Sequence, residues 1–353
     1  MNRATCSSII LTGAVLGWLA DSAFAQHVWQ KPSPRMQRAE VEKLIGPIGA
    51  AAAPSRSRHI VWVWGYDGNH RPGNHDYTRI RDLMTGLLRQ VPQVTVETAY
   101  LFPTKQQFDK ADLVVMYLHL PGLDESHYAL LDPYLKRGGG LVAIHETMIQ
   151  RPRNRGRQWA ERIGLAWSEG ESQWGALFTK VFVDAKHPIF KNFPPRVQLV
   201  DEFYWRLAET KNASSRKTLG DVPVGPPSQS KGPVPENKLS RERFPVFWTM
   251  DSDQGRVFCT LPGHTTFLFH DPKFRVILFR GLAWAMNEKP DPFMPLVFSG
   301  IEQNGLVGGV DDLRDWREKP RNPKGEGFAA DATRETINAA INARLLKKAK
   351  ASQ

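Results

Sequence analysis

Histidines and carboxylates are the residues of this chain whose types and spacing could do chemistry. Ten histidines are present, and five of them follow segments with the apolar pattern of a β-strand. These five are His70, His75, His119, His145 and His264. The carboxylates next to them are Asp67, Asp76 and Glu146. A neutral imidazole can take up a proton or bind a metal ion, and a carboxylate can serve as acid, base or ligand.

Other sequence signatures of catalysis fail on inspection. The glycines at 138–140 precede a strand-like segment instead of following one, so the dinucleotide fingerprint is absent and no nucleotide cofactor is expected. His145-Glu146 lacks the second histidine of a zincin helix. The sequence also has no CxxC pair and no serine in a G-x-S-x-G elbow. The kinds of chemistry that remain are acid–base catalysis and metal binding by histidines and carboxylates.

Strands that alternate with amphipathic helices must position these residues. Apolar strand-like segments cover 59–64, 94–100, 111–118, 141–144, 180–183, 199–207, 245–249 and 256–261. Helical patterns cover 80–88, 125–137, 158–164 and 272–286. This alternation is typical of βαβ crossovers. It predicts an α/β fold with a doubly wound, mostly parallel sheet, helices on both faces and a single domain with irregular extensions at both ends.

The five histidines should meet at one edge of that sheet. In doubly wound sheets the ligand lies beyond the carboxyl ends of the strands, and each of these histidines comes just after a strand-like segment. His145 and His264 in particular are expected within about 8 Å of each other around one cleft that also contains Glu202 and the His70–Asp76 loop. Taken singly, each histidine is more simply explained as a capping or hydrogen-bonding residue. Together they predict a ligand site.

The segment from Gly139 to His145 resembles the glycine-led fourth strand of the trehalose-utilisation (ThuA-like) family, which has the class I glutamine-amidotransferase-like fold. Further matching segments lie along residues 59–288. They are His70–Asp76, Lys186–Ile189, Asp201–Tyr204, Pro245–Trp248, Gly255–Phe258 and Gly263-His264. The resemblance implies a role in carbohydrate metabolism with a disaccharide or keto-sugar as small-molecule partner.

In true amidotransferases of this fold the fourth strand ends in a cysteine, where this chain has His145. An imidazole cannot form the glutamyl thioester, so glutaminase activity is not expected. The resemblance instead implies that His145 or Glu202 removes a proton beside a sugar carbonyl while His264 serves as acid. Sugar hydroxyls would be bound by Asp67, His70, His75, Asp76, His119 and Glu146, with Trp174 and Tyr204 stacking on the ring.

Two alternatives stay open at this point. The same imidazoles and carboxylates could bind a divalent metal ion that polarises the carbonyl, because three imidazoles, or two with a carboxylate, are a sufficient ligand set. Alternatively, the protein could be a non-catalytic carbohydrate-binding or scaffold protein. The sequence does not decide between a monomer and a homo-oligomer.

A cleavable export signal is expected over residues 1–25. It has a basic start at Asn2-Arg3, an apolar run over 9–20 and a small-residue site at Ala23–Ala25. The run is too short to span about 30 Å of hydrocarbon. We therefore expect a mature protein that begins at Gln26, is periplasmic or secreted, and does not associate with a membrane.

The remaining segments are expected to lie outside the sheet domain, which spans 59–288. Residues 26–58 have the composition of a leader or linker, 210–243 of a loop excursion, and 289–353 of an irregular extension with a terminal helix at 330–349. The net charge of +11 lies largely in the low-apolar segments 151–157 and 211–243 and in the tail with Lys347, Lys348 and Lys350, so no nucleic-acid partner is expected. Cys259 should be buried and unreactive, since Cys6 leaves with the signal.

Overall fold

The computed structural model of the chain describes residues 33–48, 53–67, 70, 73–120, 122–224 and 240–309, without the side chains of 176–179. The predicted signal peptide and the predicted terminal helix lie outside these ranges. Within the described ranges, no helix is both long and apolar enough to cross a membrane.

The secondary structure follows the predicted alternation of strands and helices. The strands are β1 (Met36–Gln37), β2 (Arg58–Trp64), β3 (Val94–Tyr100), β4 (Leu113–Tyr117), β5 (Gly140–Ile144), β6 (Leu165–Ala166), β7 (Gln173–Val183), β8 (Arg196–Trp205), β9 (Ala208–Glu209), β10 (Arg216–Pro223), β11 (Arg243–Ser252), β12 (Gly255–Thr260), β13 (Glu302–Gln303) and β14 (Leu306–Val307). The α-helices are α1 (Arg38–Ile45), α2 (Tyr77–Leu88), α3 (Lys105–Lys110), α4 (Glu125–Lys136), α5 (Arg153–Ile163) and α6 (Pro272–Ala285).

Nine of these strands form one sheet in the order β3-β2-β4-β5-β12-β11-β10-β7-β8. The first five strands in this order are parallel. Strands β4 and β5 are buried at every position, which requires cover on both faces of the sheet. Continuous apolar runs such as Leu113–Tyr117 are the sequence form of such strands. The predicted α/β fold with a doubly wound, mostly parallel sheet is confirmed.

The second half of the sheet pairs antiparallel, from β12 through β11, β10 and β7 to β8. Because two reversed strands, β11 and β7, separate them, β10 and β8 run in the same direction as the five parallel strands. Seven of the nine strands therefore share one direction, five plus two. Strand β8 returns to within 8 Å of β11 between Cα atoms, although the two are not neighbours in the sheet. This curl brings the carboxyl end of β8 towards those of β5 and β12.

The expected loop excursion at 210–243 is wrong over part of its length. Residues Arg216–Pro223 form β10, an internal strand of the sheet between β7 and β11. Its sequence, Arg-Lys-Thr-Leu-Gly-Asp-Val-Pro, is too polar to give a strand signal, because only Leu219, Gly220 and Val222 are buried. Residues 225–239 lie outside the described ranges.

Both predicted extensions also pack on the sheet domain where they are described. Helix α1 buries Val41, and the Arg280 guanidinium of α6 donates to the carbonyl oxygens of Leu44 and Ile45 at 2.9 and 3.0 Å. Strand β1 pairs with β14, so the two extensions meet in a small sheet. Residues 33–48 and 289–309 therefore belong to the same folded unit, contrary to their interpretation as linker and irregular extension.

Candidate functional site

The turn after β5 places His145 at the carboxyl edge of the sheet. His145 has φ 54°, in the left-handed region, and begins a short 3₁₀ helix over His145–Met148. Such a conformation costs about 1–3 kcal/mol for a residue with a Cβ and is found most often at functional sites. A Cβ on Gly263 would lie 2.6 Å from Ile144 Cγ2 and 2.9 Å from His145 Cβ. Glycine at 263 therefore lets the loop after β12 approach His145.

Three histidines and one glutamate converge at this edge, and we call them the histidine centre: His75, His145, Glu202 and His264. The His75 Nε2 and His264 Nδ1 atoms are 2.7 Å apart, and the His145 Nε2 and His264 Nδ1 atoms 3.3 Å apart. Glu202 Oε1 lies 3.7 Å from His145 Nε2 and 3.6 Å from His264 Nδ1. All four residues are buried, and one potential ligand atom from each lies within 4.8 Å of the others.

Hydrogen bonds on the outer side of the centre orient two of its imidazoles. His145 Nδ1 lies 2.7 Å from the Leu261 carbonyl oxygen, which only an N–H can contact favourably. His75 Nδ1 lies 2.6 Å from Glu146 Oε2, and we assign the proton to this nitrogen for the same reason. Both Nε2 atoms then present a lone pair to the centre. Burial lowers the pKa of His145 and of His264 well below the usual range, so both imidazoles are neutral.

Glu146 connects the buried centre to the surface. Its Oε2 accepts from His75 and from the Tyr77 hydroxyl, while its Oε1 accepts from His119 Nδ1 at 2.7 Å. Although burial acts to raise the pKa of Glu146, the neighbouring His75 and His119 hold it well below its usual range. Both oxygens of Glu146 thus accept hydrogen bonds from protein groups. Its role in this structure is to orient His75 and His119, whereas the family resemblance implies that it binds a sugar hydroxyl.

Asp201 holds the loop that carries His264. Its carboxylate accepts backbone N–H groups from Gly263 at 2.6 Å, His264 at 3.1 Å and Thr265 at 3.1 Å, and also from Glu202. Burial nevertheless raises the pKa of Asp201 to about 7. The loop before α2 is tied to the same segment, because the His75 N–H donates to the His264 carbonyl oxygen at 2.9 Å. The Asp201 carboxylate of β8 and the backbones of the two loops thus form one hydrogen-bonded unit.

Tyr204 completes the inner wall of the centre. Its hydroxyl lies 3.0 Å from His145 Nε2 and also hydrogen bonds to Glu202. Its ring stacks on that of His145 with 4.9 Å between centroids. Burial raises the pKa of Tyr204 and of Glu202 well above their usual ranges.

The outer rim contains the remaining predicted site residues. His70 stacks on His75 with 3.8 Å between ring centroids, and its Nδ1 hydrogen bonds to Asp67 Oδ2 over 2.8 Å. The side chains of His70 and His119 are 40% and 58% exposed, so the rim is open to solvent beside the buried centre. Asp76 instead caps helix α2, where it accepts the Arg79 N–H at 3.2 Å.

The structure brings His145 and His264 together with Glu202 and with His75 of the His70–Asp76 loop, as predicted. Cys259 is buried as predicted, and burial raises the pKa of its thiol. The sequence did not predict the hydrogen bonds that Asp201, Tyr77 and the Tyr204 hydroxyl make at this site. Adjacency was the available signal: Asp201 and Tyr204 flank Glu202, and Tyr77 follows His75 by two positions. Their hydrogen bonds, however, depend on contacts between distant segments.

The fold and the site define an α/β protein with a mostly parallel central sheet and with histidines and carboxylates at its ligand edge. The sequence profile of the ThuA family, described as trehalose utilisation, matches residues 60–285. This match covers more than half of the chain, and the chain therefore belongs to the ThuA family. The predicted family resemblance is confirmed.

One solved structure agrees with this assignment at the level of the fold, and two others resemble the chain more weakly. A ThuA-like protein from Bacteroides uniformis ATCC 8492 has a TM-score of 0.51 and 16% identity, over 68% of this chain and 95% of that one. A ThuA-like protein from Parabacteroides merdae ATCC 43184 gives 0.48 and 19%, over 65% and 90%. A GMP synthase component from Thermoplasma acidophilum gives 0.34 and 12%, over 65% and 96%. No curated protein matches the chain.

Proposed function

We propose that the protein is an enzyme of carbohydrate metabolism that acts on a disaccharide or keto-sugar derivative at the histidine centre. One observation carries this proposal: Glu202 Oε1 lies 3.6 to 3.7 Å from imidazole nitrogens of His145 and His264 in a buried cluster. A carboxyl group that can accept a proton and an imidazole that can donate one to an oxygen are thus side by side in one cluster. The family's description, trehalose utilisation, supports a sugar as the substrate class.

The chemistry that fits this arrangement is proton removal beside a sugar carbonyl. Ionised Glu202 takes the proton from the carbon next to the carbonyl, the C–H electron pair forms the new C=C bond, and the carbonyl π pair moves to oxygen. His264, whose Nδ1 can carry a proton at the centre, stabilises that oxygen as hydrogen-bond donor and acid. When the carbon that lost its proton bears a hydroxyl, return of the proton to the former carbonyl carbon, with transfer of that hydroxyl proton to the first oxygen, gives an isomer. Expulsion of a glycosidic oxygen from the β-carbon gives an elimination product instead.

The rim residues fit the binding of sugar hydroxyls. His70, Asp67 and His119 offer polar groups beside the centre, and the first and last of these face solvent in part. Trp174 is 51% exposed and lies directly opposite Tyr204 in the β7–β8 ladder. An exposed indole on the strand next to Tyr204 suits the apolar face of a sugar ring.

Glutamine hydrolysis is not part of this proposal. The position where an amidotransferase needs a cysteine thiolate holds His145, and Cys259 is buried within β12. We also propose export, since residues 1–25 have the composition of a signal peptide. N-terminal sequencing of the exported protein tests this: we expect a start at Gln26, and a start at Met1 would contradict it.

A screen of disaccharides oxidised to the keto form tests the proposed function. Wild-type protein should convert at least one of them, and Glu202→Gln should lose turnover by about 100-fold or more while keeping substrate binding. His127→Ala is the matched control, since His127 caps helix α4 through Asp124 and lies outside the centre. It should leave turnover unchanged. Binding without turnover in every protein would favour the carbohydrate-binding role instead.

A further inference from the structure

We infer that His75, His145 and His264 together bind one divalent transition-metal ion. The three nitrogens that face one another are His75 Nε2, His145 Nε2 and His264 Nδ1, and the first two lie 2.7 and 3.3 Å from the third. Ligands about 2.0–2.1 Å from a tetrahedral Zn²⁺ lie about 3.3 Å from one another. Glu202 Oε1, at 3.6 and 3.7 Å from two of the nitrogens, lies at the fourth corner.

The hydrogen bonds behind these imidazoles are those that metal-binding histidines make. A ligating histidine usually donates its second N–H to a carboxylate or to a backbone carbonyl, which fixes both the tautomer and the ring orientation. His75 Nδ1 has Glu146 Oε2 at 2.6 Å, and His145 Nδ1 has the Leu261 carbonyl oxygen at 2.7 Å. The left-handed backbone of His75 and of His145, with φ 50° and 54°, aims both rings from turns held by the surrounding sheet.

The donor set selects the class of ion. Imidazole ligands suit Zn²⁺, Co²⁺, Mn²⁺ or Fe²⁺, whereas Ca²⁺ and Mg²⁺ require six or more oxygen ligands, which this centre does not offer among its described residues. This inference refines the proposed function, and it rests on that function only for the sugar. The ion would polarise the carbonyl oxygen, and Glu202, displaced from the fourth corner, would be the base.

A cluster held together by hydrogen bonds alone is the competing explanation, because an N–H on His264 Nδ1 could donate to His75 Nε2. Titration separates the two. The full chain is stripped with a chelator and titrated with Co²⁺, whose visible absorption reports nitrogen coordination, and with Zn²⁺ by calorimetry. We expect one equivalent to bind. Metal analysis after dialysis should give the same stoichiometry.

Variants assign the ligands. His145→Ala and His264→Ala should each abolish stoichiometric binding, whereas Glu202→Gln should retain the ion, because three imidazoles remain. Glu146→Gln keeps every ligand but removes the charge behind His75, so we expect metal affinity to fall about 10- to 100-fold. Because Glu146→Gln keeps all three imidazoles, it tests the site even if the alanine variants misfold. His127→Ala should bind as the wild type does.

The outcomes also separate this inference from the proposed function. Failure of Co²⁺ and Zn²⁺ to bind the wild type, or binding that His145→Ala leaves unchanged, would overturn the metal site. Sugar turnover by chelator-treated, metal-free protein would contradict the catalytic part given to the ion while leaving the proposed function intact. Stoichiometric metal that depends on the histidines, with no turnover of any keto-disaccharide, would support the site and contradict the sugar chemistry.

Discussion

Tyr204 contributes to the centre through two separable parts. Its ring packs on His145, and its hydroxyl lies 3.0 Å from His145 Nε2. Because His145 Nδ1 is committed to the Leu261 carbonyl, Nε2 has a lone pair, and the tyrosine hydroxyl is its donor in the metal-free protein. A buried acceptor that loses its donor destabilises the fold.

Tyr204→Phe should therefore lower the free energy of unfolding of metal-free protein by about 1 kcal/mol without changing the fold. Urea unfolding of chelator-treated protein measures this. Tyr128→Phe is the matched control, since the buried Tyr128 hydroxyl has no hydrogen-bond partner among the described residues. Tyr128→Phe should leave the free energy of unfolding unchanged or raise it slightly. Equal losses in both variants would mean that the Tyr204 hydroxyl contributes only by packing.

The loop after β12 is ordered by strand β8 more than by its own sequence. One carboxylate, Asp201, accepts three successive backbone N–H groups, from Gly263 to Thr265. This arrangement fixes the backbone on which His264 sits. It also explains why the sheet must curl, because Asp201 lies on the edge strand and the loop follows the middle strand β12.

Asp201→Asn should loosen this loop. An amide places an NH₂ group where one oxygen now accepts, so at least one backbone N–H loses its acceptor, at a cost of about 1–3 kcal/mol. We expect faster hydrogen exchange at residues 263–265 and a lower free energy of unfolding. Asp184→Asn is the control, because it makes the same substitution at a partly exposed carboxylate that accepts the N–H of Lys186, far from this loop in sequence. Unchanged exchange at 263–265 in Asp201→Asn would contradict the role given to this carboxylate.

The same elements show what sequence could predict. Strands β4 and β5 are buried at every position, so continuous apolar runs such as Leu113–Tyr117 marked them, and the histidines after such strands could be placed at one edge. Strand β10 was missed because only Leu219, Gly220 and Val222 among its residues are buried. Glu202 could be assigned only by resemblance to the family. Its position beside His145 depends on the curl of the antiparallel half, which no local pattern encodes.

One ion pair joins strand β2 to the segment that follows α6. Arg58 and Glu288 side chains are 7% and 4% exposed, with Arg58 Nη2 and Glu288 Oε2 2.7 Å apart. Burial acts to raise the pKa of Glu288, but hydrogen bonds from Ser55 and Arg58 lower it to about 2 from 4.5. A folded-state pKa below the unfolded one means that the stabilisation is present above pH 4.5 and is lost as pH falls towards 2.

Glu288→Gln should therefore destabilise the protein by about 1–3 kcal/mol at about pH 7, and the difference from wild type should shrink as pH falls below about 4.5. Unfolding in urea at several pH values measures both effects. Asp109→Asn, which breaks the exposed pair with Lys105, should cost less than about 0.5 kcal/mol at every pH. A pH-independent difference for Glu288→Gln would show that the loss does not come from this carboxylate's charge.

The two extensions decide how large the folding unit is. Residues 33–48 and 289–309 bury apolar side chains against the sheet domain, including Val41, Phe293 and Val297, and Arg275 of α6 donates to carbonyl oxygens of 296, 297 and 299. Each large apolar side chain left exposed by truncation forfeits about 1.5–3 kcal/mol of burial. Removing the extensions also leaves the buried Arg275 guanidinium without several of its acceptors.

A chain shortened to 59–288, the segment with the family resemblance, should therefore unfold at a much lower temperature than a chain shortened to 33–309, or precipitate on expression. The 33–309 chain is the matched control, because it retains every contact described between the extensions and the domain. Circular dichroism during heating compares the two. If 59–288 unfolded at the same temperature as 33–309, the extensions would be appendages after all, and their buried side chains would contribute little to stability.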